Sequence, residues 1–132
     1  MKRLGAVLAL LAAVGCGGSS TDKQAAYAAN QQARLQLEER VRALPDVSAV
    51  NVVYVGRNLT RPADVEVTLT AAHGVSLTAL RDQVYELVWH SDLTPVDGID
   101  LRLGQDGQRG LETALVLSAA EQKRFTAVYG PR

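Results

Sequence analysis

Asp64-Val65-Glu66-Val67-Thr68-Leu69-Thr70 alternates without a break: Val65, Val67 and Leu69 take one side, Glu66, Thr68 and Thr70 the other. A period of two is strand geometry, and a polar second side means that one face of the sheet meets water. His73-Gly74 ends the strand, and Ser76 stands where a helix N-cap stands, with Val75 and Leu80 spaced as a hydrophobic staple. Leu77, Leu80, Val84, Leu87 and Val88 then recur at three and four places, which predicts a helix running to about Trp89. Pro95 and Gly98 mark the exit loop, and Ile99, Leu101 and Leu103 alternate with Asp100 and Arg102 as another strand. Strand, helix, strand makes the two strands parallel, with the helix crossing one face.

Upstream, Val47 to Val55 carries Val50, Val52 and Tyr54 on one face and Val53 and Val55 on the other. A strand apolar on both sides is usually central, so it is expected between the two parallel strands. Before it, Ala26, Ala29, Ala33, Leu37, Val41 and Leu44 form one narrow helical face, ended by Pro45. The small alanines of its first half predict a projecting stalk, and the larger residues of its second half predict packing. Gly56 to Ala63 reads as a loop. Downstream, Gly104 to Gly110 reads as a mobile hairpin turn, and Leu111 to Leu117 as a fourth strand paired with the third. Ser118-Ala119-Ala120-Glu121 has capping-box spacing and opens a short helix carrying Phe125, Val128 and Tyr129, closed by Gly130-Pro131. The expected fold is α+β: a small two-layer sandwich in the order αββαβ(β)α, with a mixed three- to four-stranded sheet in a split βαβ arrangement and helices over one face.

The beginning of the chain carries a different kind of signal. Lys2 and Arg3 precede the apolar run Leu4 to Val14, and Gly15-Cys16 leads into the polar tract Gly17-Gly18-Ser19-Ser20. That is the three-part pattern of an export signal, and its apolar run is well short of the ~20 residues a bilayer-spanning helix needs. Ala13-Val14-Gly15-Cys16 resembles the lipobox of bacterial lipoproteins, with Ala13 at the position where that family prefers leucine. The resemblance implies that the Cys16 thiol is joined to a diacylglyceryl group and that cleavage between Gly15 and Cys16 makes Cys16 the first mature residue. An ordinary secretory cut near the same place is the alternative. The expected division is a signal peptide over 1–15, a flexible tether over 16–24 and one domain over 25–132.

Composition narrows the function classes. The 132 residues, less the signal, suit one small domain, and 47% hydrophobic content is that of a globular chain. Loss of Lys2 and Arg3 leaves 12 basic against 14 acidic side chains, with no basic stripe interleaved with aromatics, so nucleic acid is not an expected partner. Cys16 is the only cysteine, so no internal disulfide forms, and once acylated it leaves no thiol for catalysis or metal binding.

No catalytic pattern emerges. His90-Ser91-Asp92 holds the residue types of a hydrolase triad, but adjacent residues cannot converge as one. His73 and His90, the only imidazoles, lack metal-ligand spacing, so no metal or other cofactor is expected. The glycines of Gly104 to Gly110 fit no phosphate-loop spacing, and nothing pairs two of Asp64, Glu66, Asp97 and Asp100 as acid and base. Arg81, Tyr85 and Trp89 are spaced by four beside the core face of their helix, and these are the residue types enriched in binding hot spots. They are the candidate partner surface, with the edge of the core as the plainer role for Tyr85 and Trp89.

The helix-strand-strand-helix-strand order over about Arg34 to Leu103, behind a lipobox, is similar to the ring-building domains of secretion-system lipoproteins and to the phospholipid-binding domains of envelope lipoproteins. Either resemblance implies a non-catalytic envelope protein. The expected function is a membrane-anchored interaction or assembly module, not an enzyme, on the extracytoplasmic face of the cell membrane, in the periplasm or on the cell-wall side. The membrane is its partner through the lipid on Cys16, and an envelope protein or a second copy through the Tyr85 and Trp89 face or an open sheet edge. An envelope lipid or small-ligand binding protein is the alternative.

Overall fold

A computed structural model of the chain describes residues 18–132. The expected signal peptide and the expected cleavage site at Gly15-Cys16 lie outside the described residues. The elements follow in the order α1 (Gly18–Arg42), β1 (Val47–Val55), β2 (Asp64–Ala71), α2 (Leu77–Trp89), β3 (Gly98–Gln105), β4 (Gln108–Val116) and α3 (Ala119–Tyr129). This is an α+β fold with a four-stranded mixed sheet.

The sheet order is β1-β2-β3-β4, with β2 and β3 paired in parallel and the two outer pairs antiparallel. The doubly apolar β1 is therefore an edge strand and does not lie between the parallel pair. Its two apolar sets have different fates. Val52 is buried and Tyr54 half-buried on the helix side, whereas Val53 faces solvent opposite Glu66. A bulge also intervenes: the register slips between Ser48 and Asn51, with Ala49 in the left-handed region at φ 51°. The extra residue keeps Val47 and Val52 both turned toward the core.

The core lies between the sheet and the helices. Val65, Val67, Leu69 and Ala71 of β2 and Ile99, Leu101 and Leu103 of β3 are all buried, and their alternate neighbours Glu66, Thr68 and Arg102 are exposed. Ala33, Leu37 and Val41 of α1 and Leu80, Val84 and Val88 of α2 close over them. Ser76 caps α2, its hydroxyl accepting from the Ala79 N–H at 3.3 Å, and Ser118 does the same for α3 with the Glu121 N–H at 3.3 Å.

The helix of the tether region starts earlier than the spacing predicts. α1 begins at Gly18, so the part of the expected tether from Gly18 to Gln24 is helical. Positions 21–29 are exposed throughout, so this half of α1 stands clear of the domain as a stalk. Alanines and glutamines favour helix without needing a packed face.

Candidate interaction surface

The stripe Arg81, Tyr85, Trp89 is not a surface. Tyr85 is 7% and Trp89 5% exposed, because α3 folds back over them. Phe125 of α3 is fully buried with its ring centroid 5.7 Å from that of Tyr85, 5.4 Å from Trp89 and 5.2 Å from Tyr129. Both polar tips are satisfied inside: the Trp89 indole N–H donates to the Gly130 carbonyl at 2.9 Å, and the Tyr85 hydroxyl meets the Thr113 hydroxyl at 2.8 Å. Arg81, half-buried, pairs with its neighbour Asp82 at 3.0 Å. The three residues thus belong to the core and its margin, and the expected partner face is corrected accordingly.

His90 and Ser91, singled out in the sequence, are placed as ordinary structure. His90 is exposed, its Nε2 2.9 Å from the Tyr129 carbonyl oxygen. Ser91 is buried and donates to the Val88 carbonyl at 2.7 Å, so it does not face His90 as a nucleophile would. Asn58 builds an Asx turn, its Oδ1 accepting from the Thr60 and Arg61 N–H groups at 2.9 Å each. No cluster of three or more histidine, cysteine, aspartate or glutamate side chains suited to a metal is present among the described residues.

What the fold leaves open is one sheet face and one sheet edge. The face carries Glu66 and Thr68 of β2, Asp100 and Arg102 of β3, and Glu112 and Ala114 of β4, which line a shallow trough. A second trough on the same side runs on past Thr70 and Gly104 to Gly110. Charge across the face is mixed. Arg102 stands opposite Glu112, whereas Asp64 and Asp100 lie near each other. The carboxyl of Asp64 is pushed upward by burial and then by the neighbouring Asp100 charge.

The two edges are treated differently. At β1, α1 supplies side chains to the strand's free backbone: the Val52 N–H donates to Glu38 Oε2 at 3.2 Å, and Arg34 Nη1 donates to the Val52 carbonyl at 3.2 Å. Arg34 and Arg42 flank Glu38 at 3.5 and 2.8 Å, and the Arg42 hydrogen bond, followed by the Val52 N–H, holds the Glu38 carboxyl below its usual range. An extended segment approaching β1 meets charged side chains already bonded to its backbone.

At β4 the backbone is not covered in this way. The Gly98 N–H donates toward β2, to the Ala63 carbonyl at 3.1 Å, so Gly98, Asp100 and Arg102 point their backbone groups at β2, and Ile99, Leu101 and Leu103 point theirs at β4. Their partners Leu115, Thr113 and Leu111 turn inward to meet them, which leaves the N–H and C=O groups of Glu112 and Ala114 directed outward. The Leu117 N–H, bonded to the Asp97 carbonyl at 2.7 Å, fits the same alternation. Val116, 73% exposed, extends this edge on the open face.

These edge residues carry no special residue type. β4 ends the sheet whether or not β1 lies between the parallel strands, but which of its backbone groups face outward follows only from the β3–β4 register.

Compared with known proteins, the chain matches no family model, no curated protein and no solved structure.

Proposed function

We propose that the protein is a membrane-anchored, non-catalytic interaction module of the bacterial envelope, held by a diacylglyceryl group on Cys16. It takes an extended segment of a partner protein onto the free edge of β4. The lipobox-like Ala13-Val14-Gly15-Cys16 supports the anchor. No helix among the described residues is long and apolar enough to cross a membrane, so a lipid is the attachment that this sequence suggests. The observation that carries the binding mode is the asymmetry of the sheet: α1 occupies the β1 backbone at Val52, while the outward groups of Glu112 and Ala114 remain available. Strand addition draws affinity from main-chain hydrogen bonds and specificity from alternate side chains, here Glu112, Ala114 and Val116 on the open face. A carrier that holds a ligand between helices and sheet has less support, because that space is filled by core side chains and both troughs lie on the opposite face.

The test uses the native host. Intact mass of the membrane-extracted protein is expected to show a chain beginning at Cys16 with a diacylglyceryl increment, absent from Cys16→Ser. A photocrosslinking residue at Ala114 is expected to capture one envelope protein, and one at Glu39 on the exposed side of α1 none. Ala114→Pro, which removes an outward N–H at an edge position where proline is tolerated, is expected to abolish capture by a crosslinker at Glu112 without unfolding the domain. Capture that survives Ala114→Pro sinks strand addition, and an unacylated soluble product sinks the anchor.

A further inference from the structure

We infer that the loop between β1 and β2, with Leu59 at its tip, is a second, weak membrane contact that seats the domain on anionic lipid headgroups. The inference rests on the lipid-anchor reading above. Three observations point the same way.

The first is the build of the loop. Leu59 is fully exposed, at 105% of its reference area, although the loop that carries it is firmly braced. Asn58 Oδ1 accepts from the Thr60 and Arg61 N–H groups, and the Asn58 N–H closes the turn on the Arg61 carbonyl at 3.0 Å. Behind the turn, Arg57 makes a two-pronged ion pair with Asp97, whose other contact is the Ala63 N–H at 2.8 Å. A leucine on a limp loop could fold away from water. Here the turn holds it outward, and a single exposed leucine needs such a context before it means anything.

The second is charge. Arg57 is neutralised by Asp97, whereas Arg61, two residues past Leu59, forms no close ion pair among the described residues and acts only at longer range on the Asp64 carboxyl. An apolar tip with a cation beside it matches the layering of a bilayer surface, where acyl chains lie beneath phosphates.

The third is position. α1 runs against β1, so its start lies at the end of the molecule where β1 finishes and the loop begins. Asn30 marks the level: its amide exchanges two hydrogen bonds with Thr94, in the loop just before β3, at 3.0 and 3.1 Å. From there back to Gly18 the helix projects ~18 Å past this end of the domain at 1.5 Å per residue. Gly18, the first of the described residues, therefore lies on the same side as Leu59. Tyr27, 68% exposed, lies on the α1 stripe that continues through Gln31 to Arg34, the stripe turned toward β1. A tyrosine there is of the type that settles at membrane interfaces.

A domain already tethered does not need a contact strong enough to recruit it. The tether supplies a high effective concentration, so a contact far too weak to bind vesicles alone suffices to set orientation. With α1 leaning, Leu59 and Arg61 reach the headgroups, and the β4 hairpin turn, at the far end of the strands, faces away from the membrane.

The test places the acylated full chain in phosphatidylcholine vesicles containing one-third phosphatidylglycerol. Leu59→Cys labelled with an environment-sensitive dye is compared with His73→Cys, at the other end of β2. Expected are blue-shifted emission and quenching by acyl-chain spin labels for the first and neither for the second. In the chain with its natural residues, hydrogen exchange over 56–63 is expected to slow about tenfold with vesicles, the shift that partial burial of one leucine supplies. Leu59→Asp with Arg61→Glu is expected to remove that protection. Equal, water-like signals at both dye positions overturn the inference, and so does exchange over 56–63 that vesicles leave unchanged. Failure of the anchor itself reads differently: the dye also labels Cys16. The comparison is then made with Cys16→Ser added and the chain held on nickel-chelating lipid by an N-terminal histidine tag, where equal signals again overturn it.

Discussion

Asp97 ties its own loop to two other segments, one through its carboxylate and one through its main-chain carbonyl. It takes the Arg57 guanidinium and the Ala63 N–H on its side chain, and its own carbonyl accepts from Leu117 across to β4. The Arg57 hydrogen bond first, and the Ala63 N–H second, lower its carboxyl from the ordinary 3.8 to about 2. A folded-state value below the unfolded one means that the stabilisation is complete above the unfolded value, about pH 4, and is lost as the pH falls through 2. The side chain keeps 28% of its exposure and Arg57 keeps 58%, so solvent screening limits the effect to about 1 kcal/mol. Asp64 acts in the opposite sense, since its raised value favours the folded state as it protonates. Asp97→Asn is therefore expected to lose about 1 kcal/mol at pH 7 and to flatten the fall in stability between pH 4 and pH 2, read from urea midpoints at each pH. A midpoint that falls with acid as steeply as in the parent chain contradicts this role. Residue-scale roles of this kind were poorly legible in the sequence. The carboxylates read as unpaired because partners 40 positions apart, Arg57 and Asp97, meet only through the crossover. Tyr85 and Trp89 show the converse. Their residue types suit a binding face, but their spacing on the margin of an apolar stripe suits a core edge equally, and only the return of Phe125 decides between the two.

At the scale of elements, the helices and strands were legible because their periods differ and their caps are explicit: Ser76 and Ser118 bond as their positions predict. Strand order was less so. Apolar residues on both faces of β1 suggested a central strand, but only the side that α1 covers is shielded, with Val52 buried there, while Val53 on the other side meets water. The Arg34 and Glu38 bonds to Val52 are hence a guard on an edge that would otherwise template another chain. Replacing both, Arg34→Ala with Glu38→Ala, removes two backbone partners and is expected to cost about 1–2 kcal/mol. It is also expected to create concentration-dependent association that sedimentation velocity detects and that Val52→Pro suppresses. Association unchanged from the parent chain would mean that the edge is shielded by packing alone, whatever the charges do.

For the molecule as a whole, the last helix determines whether there is one cooperative unit or two. The sheet with α1 and α2 already buries most of its aliphatic side chains, but Tyr85 and Trp89 would lie open without α3, and Arg132 beyond it reaches back to the Leu93 carbonyl and over the Trp89 ring. Phe125 is the contact point: it is fully buried, and three aromatic rings meet it edge-on or tilted. Truncating a buried phenylalanine costs about 3–5 kcal/mol, a large part of the 5–15 kcal/mol that holds a domain of this size together. Phe125→Ala is accordingly expected to lower the melting temperature by ~15–30 °C. Because Trp89 is the only tryptophan, its emission reports on this corner directly. If α3 is part of a single unit, tryptophan emission and far-ultraviolet circular dichroism should fall together in both the parent and the variant, apart from residues 21–29 of α1, whose exposed amides should exchange early. A variant in which Trp89 emission shifts red at low temperature while the circular dichroism transition stays where it was would divide the molecule instead, into a sheet that folds alone and a helix that docks on it.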